Sequence, residues 1–99
     1  MRVIARKPLK DFWEKPGRGD AEQPLRAWFA EAKAAGWRTP ADIKRHYKNA
    51  SIIGNNRVVF NIAGNKYRLV VALKYKSGIV FIRFIGTHAE YDRINPAEV

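Results

Sequence analysis

The first half of the chain is patterned as helices, because its apolar residues recur at intervals of three and four positions. Leu9, Phe12 and Trp13 share one face of a first short helix, which Pro16 and Gly17 end. A second stretch keeps one apolar face through about four turns and predicts a longer helix. That face consists of Leu25, Trp28, Phe29, Ala32 and Ala35.

Two capping signals mark the starts of further helices. Asp20 followed by Gln23 has the spacing of a capping box and predicts the start of the longer helix. Thr39 predicts the N-cap of a third helix, with Pro40 at its first position and Asp42 near its positive end. The helical part of the fold is therefore expected to end shortly before residue 50.

The pattern changes to that of β-strands near Ile52, where β-branched and aromatic residues replace the helical spacing. Short connections containing glycine and asparagine separate these runs, so neighbouring strands are expected to be antiparallel. A further β-prone run precedes the first helix. The predicted strands are Arg2–Ala5, Ser51–Ile53, Val58–Ala63, Tyr67–Tyr75 and Ile79–Ile85.

Two-residue loops at Gly64-Asn65 and Ser77-Gly78 would set the register of the last three strands. With these loops every facing pair on one side of the sheet is apolar, so we expect the helices to pack there and name it the helix face. The predicted pairs are Ile62 with Tyr67, Phe60 with Leu69, Val58 with Val71, Tyr75 with Val80, Leu73 with Ile82 and Val71 with Phe84.

The opposite side, named the second face, is then expected to carry Arg57, Arg68 and Arg83. In the predicted register Ala72 lies between Arg57 and Arg83, and its small side chain leaves a hollow in which two guanidinium groups could hold a phosphate. A neighbouring row holds Asn61, Arg68 and Thr87.

These elements predict an α+β fold in which two or three N-terminal helices pack on one face of a small twisted, mainly antiparallel sheet. With 99 residues, the chain is expected to form one domain, residues 1–99. The N-terminus lacks the apolar region of a signal peptide, and no run is long enough to cross a bilayer. Cysteine is absent, which excludes disulfides and is compatible with a reducing cytoplasm. Together with the missing signal and membrane segments, this predicts a cytoplasmic protein without a membrane partner.

The charge of the chain indicates a polyanionic partner. It has 19 basic and 9 acidic residues, a net charge of +10, and no carboxylate occurs between Ile43 and Ala89. A positive surface of this kind attracts polyanions, and nucleic acid is the first partner to consider. An acidic protein or an anionic membrane would be attracted in the same way.

The residues after the last strand are the best candidates for chemistry. Thr87 and Glu90 have the spacing of a capping box, which places His88 at the first position of a short helix. The positive end of that helix would favour a neutral imidazole, whereas Asp92 four residues later would favour the charged form. Tyr91 would stack on a base, donate a hydrogen bond or close the core. No His, Asp or Glu group has metal-ligand spacing, so neither a metal nor another cofactor is expected.

The segments VFNIAGNKYRLVVALKY and FIRFIGTHAEYD, together with RVIARKPLKDFWEK at the N-terminus, resemble the HigB-type toxins of the RelE/ParE superfamily. The resemblance implies an mRNA interferase that cuts messenger RNA during translation on the ribosome and is neutralised by a helix-turn-helix antitoxin, HigA. It also implies a catalytic role for His88, Arg68, Arg83 and Tyr91. We expect the RNA backbone to contact Arg57, Asn61, Lys66, Lys74 and Lys76.

Cleavage of RNA by its own 2′-hydroxyl group needs only proton transfer and stabilisation of a phosphorane, so His88 with Arg68 and Arg83 would suffice without metal. Two other functions remain open. ParE-like relatives poison DNA gyrase on the same fold, and a non-catalytic RNA-binding module would share the charge. The second face is expected to carry arginine and valine rather than the exposed aromatic rings of common RNA-binding sheets, which argues against the module.

Overall fold

Four α-helices are present in the computed structural model, which describes residues 1–99. They are α1 (Lys7–Trp13), α2 (Glu22–Ala34), α3 (Pro40–His46) and α4 (His88–Tyr91). The predicted apolar face of α1 is buried, with Phe12 2% exposed. In α2 the predicted residues Leu25, Trp28 and Ala32 are buried, whereas Phe29 is only partly buried and Ala35 lies just beyond the helix end. None of the helices has the length and apolar character needed to cross a membrane.

The N-cap predicted at Thr39 is confirmed, and the structure shows that it is part of a full capping box with Asp42. Thr39 Oγ1 accepts a hydrogen bond from the backbone N–H of Asp42 at 3.3 Å, and Asp42 Oδ2 accepts one from the backbone N–H of Thr39 at 3.2 Å. These bonds satisfy donors that have no partner within the first turn of α3. All the groups involved lie within three residues, which is why the local sequence is sufficient to predict them.

The capping box predicted from Asp20 to Gln23 is wrong. A short 3-10 turn precedes α2, the helix begins at Glu22, and no side chain caps its N-terminus. The Asp20 carboxylate instead accepts hydrogen bonds from Lys66 Nζ and the Tyr67 hydroxyl. An ammonium group and a phenol are stronger donors than a backbone amide. Both lie more than 40 residues away, at separations of 46 and 47, so local spacing could not reveal them.

Five strands form one sheet. They are β1 (Arg2–Ile4), β2 (Ser51–Ile53), β3 (Arg57–Ile62), β4 (Tyr67–Lys74) and β5 (Ile79–Thr87). Their spatial order is β1-β5-β4-β3-β2, with β1 parallel to β5 and every other pair antiparallel. The predicted α+β class with a mainly antiparallel sheet is therefore confirmed.

The register predicted for β3 and β4 is confirmed, and the apolar pairs that it defines are buried against the helices in one core. The Phe60 ring lies in contact with the rings of Trp28 and Trp37, at centroid distances of 5.4 and 6.0 Å. The confirmed pairs are Ile62 with Tyr67, Phe60 with Leu69 and Val58 with Val71.

The register predicted for β4 and β5 is wrong at the turn. The turn spans residues 75–78 and so has four residues instead of two. As a result Leu73 lies opposite Val80 and not opposite Ile82. A shift of two positions leaves each side chain on its predicted face, because the faces of a strand alternate with a period of two.

A β-bulge in β5 then exchanges the faces. Where the pairing passes from Val71 to Val70 in β4, Arg83 is an extra residue in β5 without an opposite partner. Beyond it, Phe84 lies opposite Val70 on the second face, although the prediction places it opposite Val71 on the helix face. Ile85 turns toward the core and packs against it. The prediction fails because counting residues outward from the hairpin loop assumes that every residue of one strand has a partner in the other strand.

The second face is more covered than predicted. Val70 and Ala72 are 0% and 7% exposed. Ala72 lies opposite Phe81, so the predicted row of Arg57, Ala72 and Arg83 is wrong and no hollow exists there. The partly exposed ring of Phe81 also lies on this face, where arginine and valine rather than aromatic rings are expected.

Candidate active site

The chain passes directly from β5 into α4 at Thr87, and the predicted capping box at this corner is confirmed. Thr87 Oγ1 accepts a hydrogen bond from the backbone N–H of Glu90 at 3.2 Å, and Glu90 Oε1 accepts one from the backbone N–H of Thr87 at 2.8 Å. Arg18 Nη2 lies 3.2 Å from the same carboxylate oxygen. His88, the first residue of α4, is therefore held on a firmly bonded backbone.

Glu90 stabilises this corner as a carboxylate. The hydrogen bond from the backbone N–H of Thr87 lowers the pKa of Glu90 below its ordinary value of 4.5, and the charge of Arg18 acts in the same direction. A carboxylate bound by these donors is a poor proton acceptor. Glu90 therefore positions its neighbour His88 and is not itself suited to proton transfer.

Two predicted site residues, Arg68 and His88, lie in direct contact. Arg68 Nη2 is 2.5 Å from His88 Nε2, while Nη1 of the same guanidinium donates to the main-chain oxygens of Asn65 and Tyr67 at 3.2 and 3.4 Å. A guanidinium group has only donors, so His88 Nε2 must accept. A hydrogen bond in this contact requires Nε2 to be the ring nitrogen without a proton, and the guanidinium group places a permanent positive charge beside it. We name this pair of residues the Arg68–His88 site.

Phe84 forms part of the surface next to the Arg68–His88 site. Arg68 lies opposite Gly86 on the second face, where the prediction places Thr87. A Cβ atom at Gly86 would lie only 2.5 Å from the Phe84 ring, so this ring occupies the space that the glycine leaves. A glycine inside a strand often marks such a close approach, and this was the available sequence signal for Phe84.

Tyr91 lies one turn beyond His88 in α4 and is half-buried, and its hydroxyl makes no hydrogen bond within the chain. Asp92 donates its backbone N–H to the main-chain oxygen of His88 at 2.9 Å. Its carboxylate forms no ion pair with the imidazole. The Asp92 carboxylate therefore does not contact the His88 imidazole, although the spacing of the two residues along the helix suggests that it would.

Arg83 also lies on the second face, but outside the Arg68–His88 site. Its Cζ is 5.9 Å from the centroid of the Phe81 ring, and Lys74 Nζ is 5.7 Å from the same centroid. Phe81 lies opposite Ala72, four residues along β4 from Arg68, which corresponds to about 13 Å. Arg83 and Lys74 thus form a second cationic area on the same face.

Arg57 is engaged by the chain itself. Its Nε and Nη2 donate to the main-chain oxygen of Val99 at 3.1 and 2.8 Å, and its Nη1 donates to that of Asn55 at 2.8 Å. Asn55 Nδ2 in turn donates to the main-chain oxygen of Ala97 at 2.9 Å. The residues after α4 therefore lie against the turn between β2 and β3, and they occupy the guanidinium group that the sequence predicts to bind RNA.

The other predicted RNA-binding residues are spread over the sheet. Asn61 lies opposite Arg68 and is exposed, next to the Arg68–His88 site. Lys66 forms an ion pair with Asp20, and this hydrogen bond raises the pKa of Lys66 above its ordinary value. Lys76 lies in the turn at the far end of the sheet.

Two residues of the loop between α1 and α2 support the site, and the local pattern did not reveal either. Arg18 pairs with Glu90 and places its Cζ 4.9 Å from the centroid of the Phe12 ring. Asp20 binds the Tyr67 hydroxyl, and this hydrogen bond raises the pKa of the buried phenol. The loop thereby ties the helix layer to the corner of β5 and α4.

The Arg68–His88 site lies on an open surface, since the three clefts of the structure are lined by other residues. The acidic side chains and histidines form no group of three that could hold a metal ion.

Among protein families, the sequence model of HigB toxin, described as the RelE-like toxic component of a toxin-antitoxin system, matches residues 21–94. The match covers well over half of the chain and includes both residues of the Arg68–His88 site. No curated protein matches the chain.

Proposed function

Because the chain belongs to the HigB family of RelE-like toxins, we propose that it is an endoribonuclease that cleaves messenger RNA at the Arg68–His88 site. The observation that carries this proposal is the contact of 2.5 Å between Arg68 Nη2 and His88 Nε2. It combines an imidazole group, which is able to transfer protons, with a cation that cannot lose its charge. These are the two groups that cleavage by the 2′-hydroxyl requires.

In the proposed reaction the scissile phosphate binds Arg68, and His88 Nε2 is released to the 2′-hydroxyl group. His88 takes the 2′-proton as the 2′-oxygen attacks phosphorus, and a 2′,3′-cyclic phosphate forms as the bond to the 5′-oxygen breaks. The 5′-oxygen takes a proton from water. Arg68 stabilises the negative charge of the phosphorane, because its planar group donates two parallel hydrogen bonds to phosphate oxygens. No step requires a metal or a cofactor.

Four of the remaining predicted residues, Tyr91, Arg83, Lys74 and Asn61, are assigned to substrate binding. Tyr91 would orient the nucleotide at the site, since its hydroxyl has no partner within the chain. Arg83 and Lys74 lie beside the Phe81 ring, whose position in the sheet is about 13 Å from Arg68, and they would bind a neighbouring phosphate. Asn61 is close enough in register to contact the nucleotide at the site.

We propose that cleavage takes place on the ribosome during translation. The Arg68–His88 site is an open surface and not a cleft, so the protein by itself offers few contacts that would hold an RNA strand in line for attack. Correct positioning of reactants contributes a large part of the rate of such reactions. The ribosome would supply it by holding the codon in the A site, and the cytoplasm is then where the protein acts.

Family membership implies an antitoxin partner. We propose that it is of the helix-turn-helix HigA type, which would also repress transcription of the two genes. The net charge of +10 favours an acidic surface on this partner.

Mapping RNA 5′ ends after brief induction tests the proposal. Cuts inside translated codons are expected for the wild-type protein, and none for His88→Ala or Arg68→Ala at equal protein levels. Intact transcripts together with broken chromosomes would show that the protein poisons gyrase, and the proposal would then be wrong.

A further inference from the structure

The largest cleft of the structure lies far from the Arg68–His88 site. It has a volume of about 770 Å³ and lies between β1, the C-terminal end of α2 and the turn after β4. Its floor is apolar: Phe29, Trp37 and Tyr75 contribute rings and Val3 an aliphatic side chain. We name it the N-terminal cleft.

Cations surround this apolar floor. Arg2, Lys33, Arg38 and Lys76 line the cleft, all four are exposed, and none forms an ion pair, while no acidic residue lines it. Burial raises the pKa of the Tyr75 hydroxyl, which makes no hydrogen bond within the chain and is free to donate one. The cleft thus combines apolar surface with four positive charges that have no counter-charge.

The N-terminal cleft is separated from the RNA-cleaving surface by both distance and orientation. It lies at the Ile79 end of β5, whereas His88 follows the other end of this nine-residue strand, about 27 Å away. Its Phe29 and Trp37 belong to the helix layer, whereas Arg68 lies on the second face. The two sites therefore lie at opposite ends of β5 and on different sides of the sheet.

We propose that the N-terminal cleft binds the antitoxin through a segment that carries both acidic and apolar side chains. The apolar side chains would fill the floor, and the carboxylates would pair with the four cations around it. A duplex of RNA would satisfy the cations but has no apolar side chains to cover the floor, which favours a protein partner. The proposal rests on family membership, which implies an antitoxin, and does not depend on the nuclease reaction.

Charge reversal at the rim tests the proposal. In the double variant Lys33→Glu, Arg38→Glu, both side chains are exposed and neither makes a hydrogen bond within the chain, so the fold should be retained. The probe is the purified antitoxin encoded beside the toxin gene, titrated by calorimetry. We expect its affinity to fall by about tenfold or more, because two attractions become repulsions. The control is Lys10→Glu, Lys15→Glu, which changes the net charge equally on the α1 side.

Growth assays separate this proposal from the nuclease proposal. The rim variant should still arrest growth, but co-expressed antitoxin should no longer restore it. If the rim variant binds antitoxin as tightly as the control variant does, the proposal is wrong. Loss of growth arrest with retained antitoxin binding would also overturn it, since the cleft would then serve nucleic acid. Growth arrest without RNA cleavage would refute only the nuclease proposal.

A fluorescent label gives a second test that needs no loss of binding. The chain has no cysteine, so Ser77→Cys introduces a single labelling position beside the cleft, and Ser51→Cys on β2 introduces a matched one at the opposite edge of the sheet. Purified antitoxin should change the emission of a polarity-sensitive dye at position 77 and leave position 51 unchanged. A response at position 77 to single-stranded RNA but not to antitoxin would overturn the proposal.

Discussion

Replacing Arg68 by alanine should slow RNA cleavage by about 100- to 1000-fold, which is the usual cost of removing one preorganised donor from a developing oxyanion, about 2.7–4 kcal/mol. The contacts of Arg68 give the reason for this expected loss. The Arg68 guanidinium contacts His88 through Nη2 and is held by two main-chain oxygens through Nη1. It therefore reaches the phosphate already oriented, and removal eliminates both the charge and the orientation.

Arg68→Lys separates these two contributions. Lysine keeps the positive charge, but its single ammonium group cannot bond the main-chain oxygen of Asn65 and reach His88 in the same planar geometry. We expect an intermediate loss of about 10- to 100-fold, on the reasoning that a bidentate site is only partly replaced by a point charge.

Cleavage is best measured in single-turnover reactions on ribosomes that hold a defined codon in the A site, with quantification of new 5′ ends. Circular dichroism melting should show that each variant remains folded. Lys10→Ala removes one exposed charge from α1 and is the matched control. The reasoning is refuted if folded Arg68→Ala protein cuts within about threefold of the wild-type rate, because a transition-state donor cannot contribute so little.

Three further predictions concern the corner of β5 and α4. Gly86→Ala should destabilise the protein by about 1–3 kcal/mol in urea unfolding, because the new Cβ would lie 2.5 Å from the Phe84 ring. Thr87→Ala should cost about 1 kcal/mol of stability through loss of the cap, and should also slow single-turnover cleavage by displacing His88. Glu90 has a pKa below 4.5 in the folded protein, so it contributes stability that is present above the unfolded-state pKa and is lost as the pH falls through the folded-state pKa. Urea unfolding between about pH 5 and pH 3 should therefore show a shallower loss of stability in Glu90→Gln than in the wild type.

Each of these predictions has an outcome that contradicts it. Wild-type stability in Gly86→Ala would show that the Phe84 ring is not confined to its position. An unchanged cleavage rate in Thr87→Ala would separate the capping box from the placement of His88. An equal loss of the free energy of unfolding with falling pH in Glu90→Gln and in the wild type would show that the Glu90 carboxylate has no stronger partners in the folded state than in the unfolded one.

Part of the site was predictable because its determinants are local. The capping boxes that begin at Thr39 and Thr87 each join groups within three residues. The position of His88 at the first turn of α4 follows from the second of these boxes. The proximity of Arg68 to His88 followed from pairing the strands, since β4 and β5 are neighbours and Arg68 lies opposite Gly86, two residues before His88.

The bulge at Arg83 was not predictable from alternation of apolar residues. Both faces of β5 carry large apolar side chains, so an exchange of faces leaves no polar residue in the core and no mark in the pattern. The bulge moves Phe84 to the second face and leaves Arg83 without an opposite partner. It therefore decides which surface lies beside the Arg68–His88 site.

The sequence by itself determined the helices, the strands, the β3–β4 register and the cations of the second face, because periodicity and capping act between residues close along the chain. Only the tertiary structure decided which of these cations remain available. Arg57 binds the main-chain oxygen of Val99 and Lys66 binds Asp20, whereas Arg68 turns to His88. Such pairings depend on which segments come into contact when the core packs. The free energy of this packing depends on the whole fold and not on any one segment.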